Sequence, residues 1–422
     1  MKKILVIGGG AYQIPLIKRI LENGDQAYCV DANPNAAGLQ VATAGRVIDV
    51  LDKDACLKYA ESLGIDAVMT YGATITLPTV AYIGKRLQLP ALPEATAELS
   101  KSKYAIKKRL AEHGCNIQGD FFEMTSPKDA DDHVFTYPCV IKPSDGSGSK
   151  GVCVVNDASE LNAAVEFAFA NARFGSVYKE DMIRGEEYTV EAYVCNGTTY
   201  VYAIIKTTFE KTADGEIVYG HRTPSGLPAE AESRISAEIK QAIAALDITM
   251  GSVNFDVILS EDDGKPYIID CGIRIGQNLI ASHIVPYARG VNVLDNTIRL
   301  ALGETVDAEP KENRCIATRL LIYRPGTITE IRDMSGLIGT NGIRDVVMRK
   351  TVGDVQREYQ DKSDTCGWVI TEGNTPDEAE ALAGKAKHML EEYIVITPIG
   401  KESTVDEGKK PELLRGRGKA SV

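Results

Sequence analysis

The chain has no C-x-x-C pair, although nine cysteines stand among its 422 residues. They fall at 29, 56, 115, 139, 153, 195, 271, 315 and 366, scattered and odd in number. Several sit in apolar runs such as PCVIK and GVCVV, where cysteine behaves as a small hydrophobe. This argues against a disulfide framework or a zinc site, and for a reducing, cytoplasmic setting. No apolar run is long enough for a membrane-spanning helix. A net charge of −12 argues against broad binding to nucleic acid or anionic membranes. The only basic cluster is in the tail, 401–422, which reads as a solvated segment. The start, MKKILVIGGG, has the lysines and short apolar run of a secretory leader. Gly8, Gly9 and Gly10 end that run at once and no small-residue cleavage site follows, so it reads as a first strand.

Two phosphate-binding signatures are incomplete. Gly8-x-Gly10 is followed by Gln13 where the third glycine of a dinucleotide fingerprint would fall. Asp31, ending the second strand, suits either a ribose-binding acid or a plain strand end. Gly146-x-x-x-x-Gly151 has Walker spacing, but Val152 replaces the lysine and a strand follows where a helix is required. Hydride transfer on a dinucleotide is therefore the least supported chemistry.

What is present is an alternation of strands and helices, so the fold class is α/β. Residues 1–96 read as a parallel, doubly wound domain. A linker with an amphipathic helix (Ala105, Ile106, Leu110, Ala111) covers 97–135. In VIKPSDGSGSKGV, two strands flank a glycine-rich hairpin tip. Its bare backbone, with Ser147, Gly148, Ser149 and Gly151, suits wrapping of a polyphosphate, or is an ordinary hairpin. This small lid spans 136–200 and a central domain spans 201–310. Short strands and a final helix, with Thr375 as N-cap and Pro376 at its first position, make a cap over 313–400.

The sharpest local signal is NFDVIL-SEDDGK-PYIIDC. A hairpin centred near Asp263 makes Asp256 and Asp270 cross-strand neighbours, with Ile258 facing Ile268. Adjacent carboxylates in apolar strands repel unless a cation joins them. Mg²⁺ suits this, since it takes one or two carboxylates plus substrate phosphates; Mn²⁺ is an alternative.

Lys103, Lys142 with its glycine loop, EDMI, GEEYTVE and IDCGIRIGQN occur in one order along the chain. That order resembles the ATP-grasp superfamily, from residue 1 to about 400. Within it, the chain is similar to carboxylate–amine ligases of biotin-carboxylase-like and carbamoyl-phosphate-synthase-like architecture. GxI at Gly326–Ile328 and GWVITEGNTPDEAE resemble their C-terminal caps. The resemblance implies an ATP-grasp fold, ATP and Mg²⁺ as cofactors, and small-molecule carboxylate and amine substrates. It also implies no nucleic-acid or membrane partner, and it allows a homodimer.

The same resemblance assigns roles. Lys103 and Lys142 hold ATP phosphates, with Ser102 where an acid usually precedes the first lysine. Glu180, Asp181, Met182 and Ile183 form the hinge that reads and walls adenine. Glu187 grips ribose, and Asn278 aids phosphate binding. Asp256 and Asp270 hold the metal. Arg274 and Lys142 serve the chemistry, Arg274 facing the acyl phosphate. His221 and Arg222, in a G-H-x-x-P-like segment, face the acid substrate. This chain departs from the family's Glu-x-Asn at Asp270-Cys271-Gly272. Val218 also stands where dipeptide-forming relatives carry an amine-holding Glu. The implied activity is an ADP-forming ligase acting through an acyl phosphate. The alternatives are activation of bicarbonate or formate, and a nucleotide-binding regulator with a degenerate metal site.

Overall fold

A computed structural model describes residues 1–117, 119–146, 150–212, 215–276, 279–359 and 364–398. The four strands of the first sheet are β1 (Lys3–Ile7), β2 (Gln26–Asp31), β3 (Ala44–Val47) and β4 (Ala67–Met69). They lie in the order β3-β2-β1-β4, and every pair is parallel. The helix Lys53–Leu63 on this sheet starts where Asp52 accepts from the Ala55 N–H, at 2.9 Å, and stops at left-handed Gly64.

The incomplete dinucleotide fingerprint has a physical counterpart. Gln13 is buried, and its amide donates to the Tyr71 carbonyl. A β-carbon on Gly10 would come within 3.2 Å of Gln13 Oε1, and one on Gly8 would touch the Gln13 amide carbon at 3.6 Å, so this amide lies against the turn. Asp31 accepts from the Gly9 N–H at 2.7 Å, which ties the acid to the loop.

The lid sheet consists of β5 (Phe121–Met124), β6 (Cys139–Pro143), β7 (Cys153–Val155) and β8 (Val177–Asp181), in the order β5-β8-β6-β7. Two boundaries differ from the sequence expectation. β5 comes from the 97–135 linker and joins the lid. The strand β9 (Gly185–Cys195), expected in the 136–200 lid, pairs instead with the central strands. An acid-bearing apolar strand cannot by itself announce which sheet will cover it.

The central strands are β9, β10 (Thr198–Thr212), β11 (Gly215–Thr223), β12 (Gly251–Ser260) and β13 (Pro266–Gly272). Cap strands β14 (Cys315–Leu320), β15 (Gly326–Ile331), β16 (Ile343–Met348), β17 (Val355–Gln356), β18 (Gly367–Gly373) and β19 (Ile394–Thr397) follow. One sheet of eight strands, β13-β12-β9-β10-β11-β14-β18-β16, runs from the centre into the cap, while β17-β15-β19 form a separate small sheet. The helix Ala229–Ala245 buries Ile235, Ile239 and Ala242 against one face, where Tyr188, Val190, Phe255 and Val257 receive them. The other face packs Tyr193, Tyr202 and Ile205 with the first domain's Ile4, Val6 and Leu16. The final helix runs Pro376–Leu390, and the Thr375 hydroxyl accepts from Glu378 N–H at 3.1 Å, as expected. Among the described residues, no helix is long and apolar enough to cross a membrane.

Gly151 has φ +75°, and a β-carbon there would lie 2.7 Å from Pro143 Cγ and 2.7 Å from Asn171 Cβ. Gly151→Ala should therefore destabilise the lid by about 1–3 kcal/mol. Hydrogen exchange should quicken in β6 and β7 while β12 and β13 keep their protection. Equal protection of β6 and β7 in both proteins would refute this.

Candidate functional site

A cavity of about 430 Å³ opens between lid and central sheet. Val140, Val152 and Val154 of the lid face Ile258 and Ile269 of the centre, and Glu180–Ile183 run along its hinge side. Such walls suit a flat aromatic base. Gly185, Glu186 and Glu187 continue the wall, so the predicted hinge residues and Glu187 do meet in one place. Ser147, Gly148, Ser149 and Asn278, also expected to bind the nucleotide, lie outside the described residues.

Glu180 adds a buried side-chain ion-pair network to its place in the hinge. Its backbone is built into the lid sheet, opposite Phe121 on one side and Val140 on the other. Its side chain is buried, with Oε1 2.6 Å from Lys142 Nζ and Oε2 2.7 Å from Lys107 Nζ. Burial opposes the charge on Glu180, but the two lysines outweigh it and leave the carboxyl below its ordinary range. Burial also pulls the Lys107 ammonium down to about 8, with Glu180 working against the change. Lys142 donates in addition to the Ile269 carbonyl at 3.1 Å, which joins lid to central hairpin. Asp181 likewise uses its carboxylate locally, accepting from Lys179 Nζ at 2.5 Å and Thr136 Oγ1 at 2.8 Å.

Lys107 was not anticipated. It stands one helical turn beyond Lys103, so the helix Lys103–Glu112 turns both ammonium groups toward the site. Ser102, where the resembled family usually has an acid, caps this helix by accepting from Ala105 N–H at 3.1 Å.

The aspartate hairpin forms as read. Asp256 and Asp270 are direct register partners on β12 and β13. An irregularity after Asp256 shifts the register, so Ile258 pairs with Tyr267 and not with Ile268. Lys103 binds both oxygens of Asp270, and Asp256 accepts from Thr189 Oγ1 at 3.0 Å. Burial would raise the Asp270 carboxyl, but Lys103 and Lys142 hold it down to about 2. Among the described residues, no group of three or more His, Cys, Asp or Glu side chains forms a metal cage. Two carboxylates side by side nevertheless suit Mg²⁺, which completes its shell with phosphate and water.

Gly272 lies opposite Asn254 in the same hairpin. A β-carbon on Gly272 would meet Arg274 Cζ at 3.0 Å, so the guanidinium folds across the space a side chain would take. The departure from Glu-x-Asn thus makes room for Arg274. Beside it lies a second unanticipated group, Glu191, opposite Asn254 on β9 and fully buried. Asn254 Nδ2 donates to Glu191 Oε1 at 2.6 Å. Burial pushes this carboxyl up to about 8, against the pull of Asn254 and Arg274. The signal was visible as an acid inside the apolar run YTVEAYV.

His221 and Arg222 do not share a site. His221 is buried, and its backbone N–H donates to Thr318 Oγ1 at 3.1 Å. Arg222, the next residue on the strand, points the other way and lines the cavity. It pairs with Asp377 and lies 3.4 Å from Glu380 Oε2, both on the cap helix.

With this geometry in view, comparison with known proteins is informative. The model of the ATP-grasp domain matches residues 135–282. Those residues are an ATP-grasp domain. The L-amino acid ligase C-terminal domain 2 matches residues 319–394. The whole chain is 24% identical over 356 residues to the uncharacterized protein y4rH of Sinorhizobium fredii (strain NBRC 101917 / NGR234), covering 82% of this chain and 72% of that one. It is 28% identical over 186 residues to the formate-dependent phosphoribosylglycinamide formyltransferase of Rhodococcus jostii (strain RHA1). That alignment spans 43% of this chain and 46% of the relative, less than half its length. The crystal structure of L-amino acid ligase from Bacillus licheniformis superposes with a TM-score of 0.79 at 22% identity. It covers 95% of this chain and 99% of that one. The ATP-grasp fold expected from the motif order is therefore present over nearly the whole chain.

Glu191 supplies a test of the site's electrostatics. Its raised carboxyl pKa means that its contribution to stability is fully present below the ordinary 4.5 and is lost as pH rises through about 8. In EDTA, wild-type stability should therefore fall relative to Glu191→Gln between those pH values, in denaturant titrations. A difference that stays constant with pH would contradict the assignment.

Proposed function

We propose that this protein is an ADP-forming ligase that joins a carboxylate to an amine. The observation that carries the reading is the Asp256–Asp270 pair, in register beside Lys103 and Arg274, on the hairpin whose Ile258 and Ile269 wall the cavity. The matches to the ATP-grasp domain and to the L-amino acid ligase C-terminal domain support it.

ATP would set its base between the lid valines and Ile258 and Ile269, with Glu187 near the ribose. Lys103 and Lys142 would exchange their carboxylate partners for phosphate oxygens, while Lys107 stays with Glu180. Asp256 and Asp270 would hold Mg²⁺, or Mn²⁺ in its place, which neutralises phosphate charge when bound. A carboxylate oxygen of the substrate forms a bond to the γ-phosphorus as the bond to the β-phosphate bridging oxygen breaks, and ADP leaves. Arg274 would steady the acyl phosphate through charge-assisted hydrogen bonds. The amine then bonds to the acyl carbon, inorganic phosphate departs, and the amine gives up a proton. Closing the lid would keep water from the acyl phosphate.

A second reading, activation of formate or bicarbonate, draws on the formyltransferase likeness. A panel of acids and amines with MgATP separates the two. The ligase reading expects ADP and phosphate release that needs both an acid and an amine. Arg274→Ala and Asp256→Ala should each lower that rate by about 10²-fold or more. Turnover that depends on formate or bicarbonate alone would sink the ligase reading, as would rates unchanged in both variants.

A further inference from the structure

The cap reaches into the nucleotide cavity. Glu380, on the helix Pro376–Leu390, lines that cavity together with Arg222 of β11 and Lys206 and Thr208 of β10. Lys206 and Arg222 are direct cross-strand partners, so two cations stand side by side on the wall. Like charges so placed repel. Each is tied to a different element: Lys206 to Glu186, and Arg222 to Asp377 and Glu380.

Arg319 completes the set. It is buried on β14; Nη2 donates to Glu380 Oε1 at 2.7 Å and Nη1 to Thr208 Oγ1 at 3.0 Å. Its guanidinium also lies 4.9 Å from the Tyr219 ring centre. One arginine therefore fastens a cap carboxylate and a central strand hydroxyl, both of which face the cavity. Arg222 keeps a buried Nε with no acceptor among the described residues, so the cap does not satisfy all its donors.

We infer that Glu380 and Arg319 are positioning residues for the nucleotide, setting Arg222 and Thr208 on the wall that the nucleotide meets. The inference rests on the nucleotide reading of this cavity. It makes nucleotide affinity a property of central sheet and cap together, through a hydrogen-bonded unit on β10, β11, β14 and the cap helix.

Calorimetric titration of the full chain with ADP, and separately with adenosine, tests this without any substrate. Arg222→Met should weaken ADP binding about tenfold or more, and Glu380→Gln about threefold or more. Arg319→Gln should resemble Glu380→Gln, and Arg319→Lys should recover part of the loss. Because the residues act as one unit, Arg222→Met with Glu380→Gln should cost less than the sum of the single effects. Lys385→Met, at an exposed position of the same helix, serves as control and should bind as wild type does. In turnover assays Glu380→Gln should raise KM for ATP with a smaller change in kcat, whereas collapse of the fold would lower kcat and melting temperature together. Wild-type binding with unchanged Glu380→Gln and Arg319→Gln affinities overturns the inference. Strictly additive losses, or losses matched by Lys385→Met, overturn it as well. Failure of the wild type to bind ADP or adenosine overturns the nucleotide reading itself.

Discussion

The Glu180 carboxylate, buried between Lys107 and Lys142, is the constraint on which the site depends. It brings together three elements from different parts of the chain: the helix Lys103–Glu112, lid strand β6 and hinge strand β8. None of these charges is cheap to bury alone, and removing one partner from such a set costs about 3–5 kcal/mol. Two ammonium groups against one carboxylate leave a local excess of positive charge. That excess is what an incoming polyphosphate would find. Lys142 adds a bond to Ile269 O, so the same charge network sets the lid's distance from the aspartate hairpin.

The aspartate face solves the opposite problem. Asp256 and Asp270 would repel across β12 and β13, and each is relieved differently, by Thr189 and by Lys103. Glu191 would make a third negative charge on this face. Burial prevents that by keeping it protonated near neutrality, and Asn254 takes up one of its oxygens. Gly272 then matters for what it leaves out. With no side chain there, Arg274 folds over the strand end beside Asp270. The shorter acid and the glycine, which looked like loss of the family's ligands, make a site with an arginine over the strand end and two carboxylates free of a third. This fits phosphoryl transfer, where positioning and charge neutralisation supply most of the catalysis.

Much of this was legible in the sequence. The aspartate register followed from period-two alternation about Asp263, and the hinge Glu180–Ile183 and Glu187 do line one cavity. What escaped notice shares one feature, dependence on a partner distant in the chain. Lys107 reads as an ordinary helix lysine until β8 places Glu180 above it. Glu191 is an odd acid in an apolar strand until Asn254, from β12, pairs with it. The irregularity after Asp256 left no mark in the pattern, so Ile258 gained Tyr267 as partner. His221 and Arg222 looked like one motif, yet adjacent strand residues face opposite sides and only Arg222 reaches the cavity.

The continuous eight-stranded sheet gives these details a common frame. The aspartate hairpin is at one end and the cap strands at the other, with β9, β10 and β11 between. At the join of β11 and β14, Gly220 faces Arg319, and a β-carbon on Gly220 would collide with the Thr318 carbonyl. The two strands can approach there only because that position is bare, and the approach is what lets Arg319 reach Thr208 beyond it. A cap hung on a flexible linker could not hold Glu380 against the cavity to within hydrogen-bonding tolerance. A cap continuous with the sheet can, because its strands share the ladder that carries the cavity wall. In this protein the C-terminal region is therefore a structural extension of the ATP-grasp core.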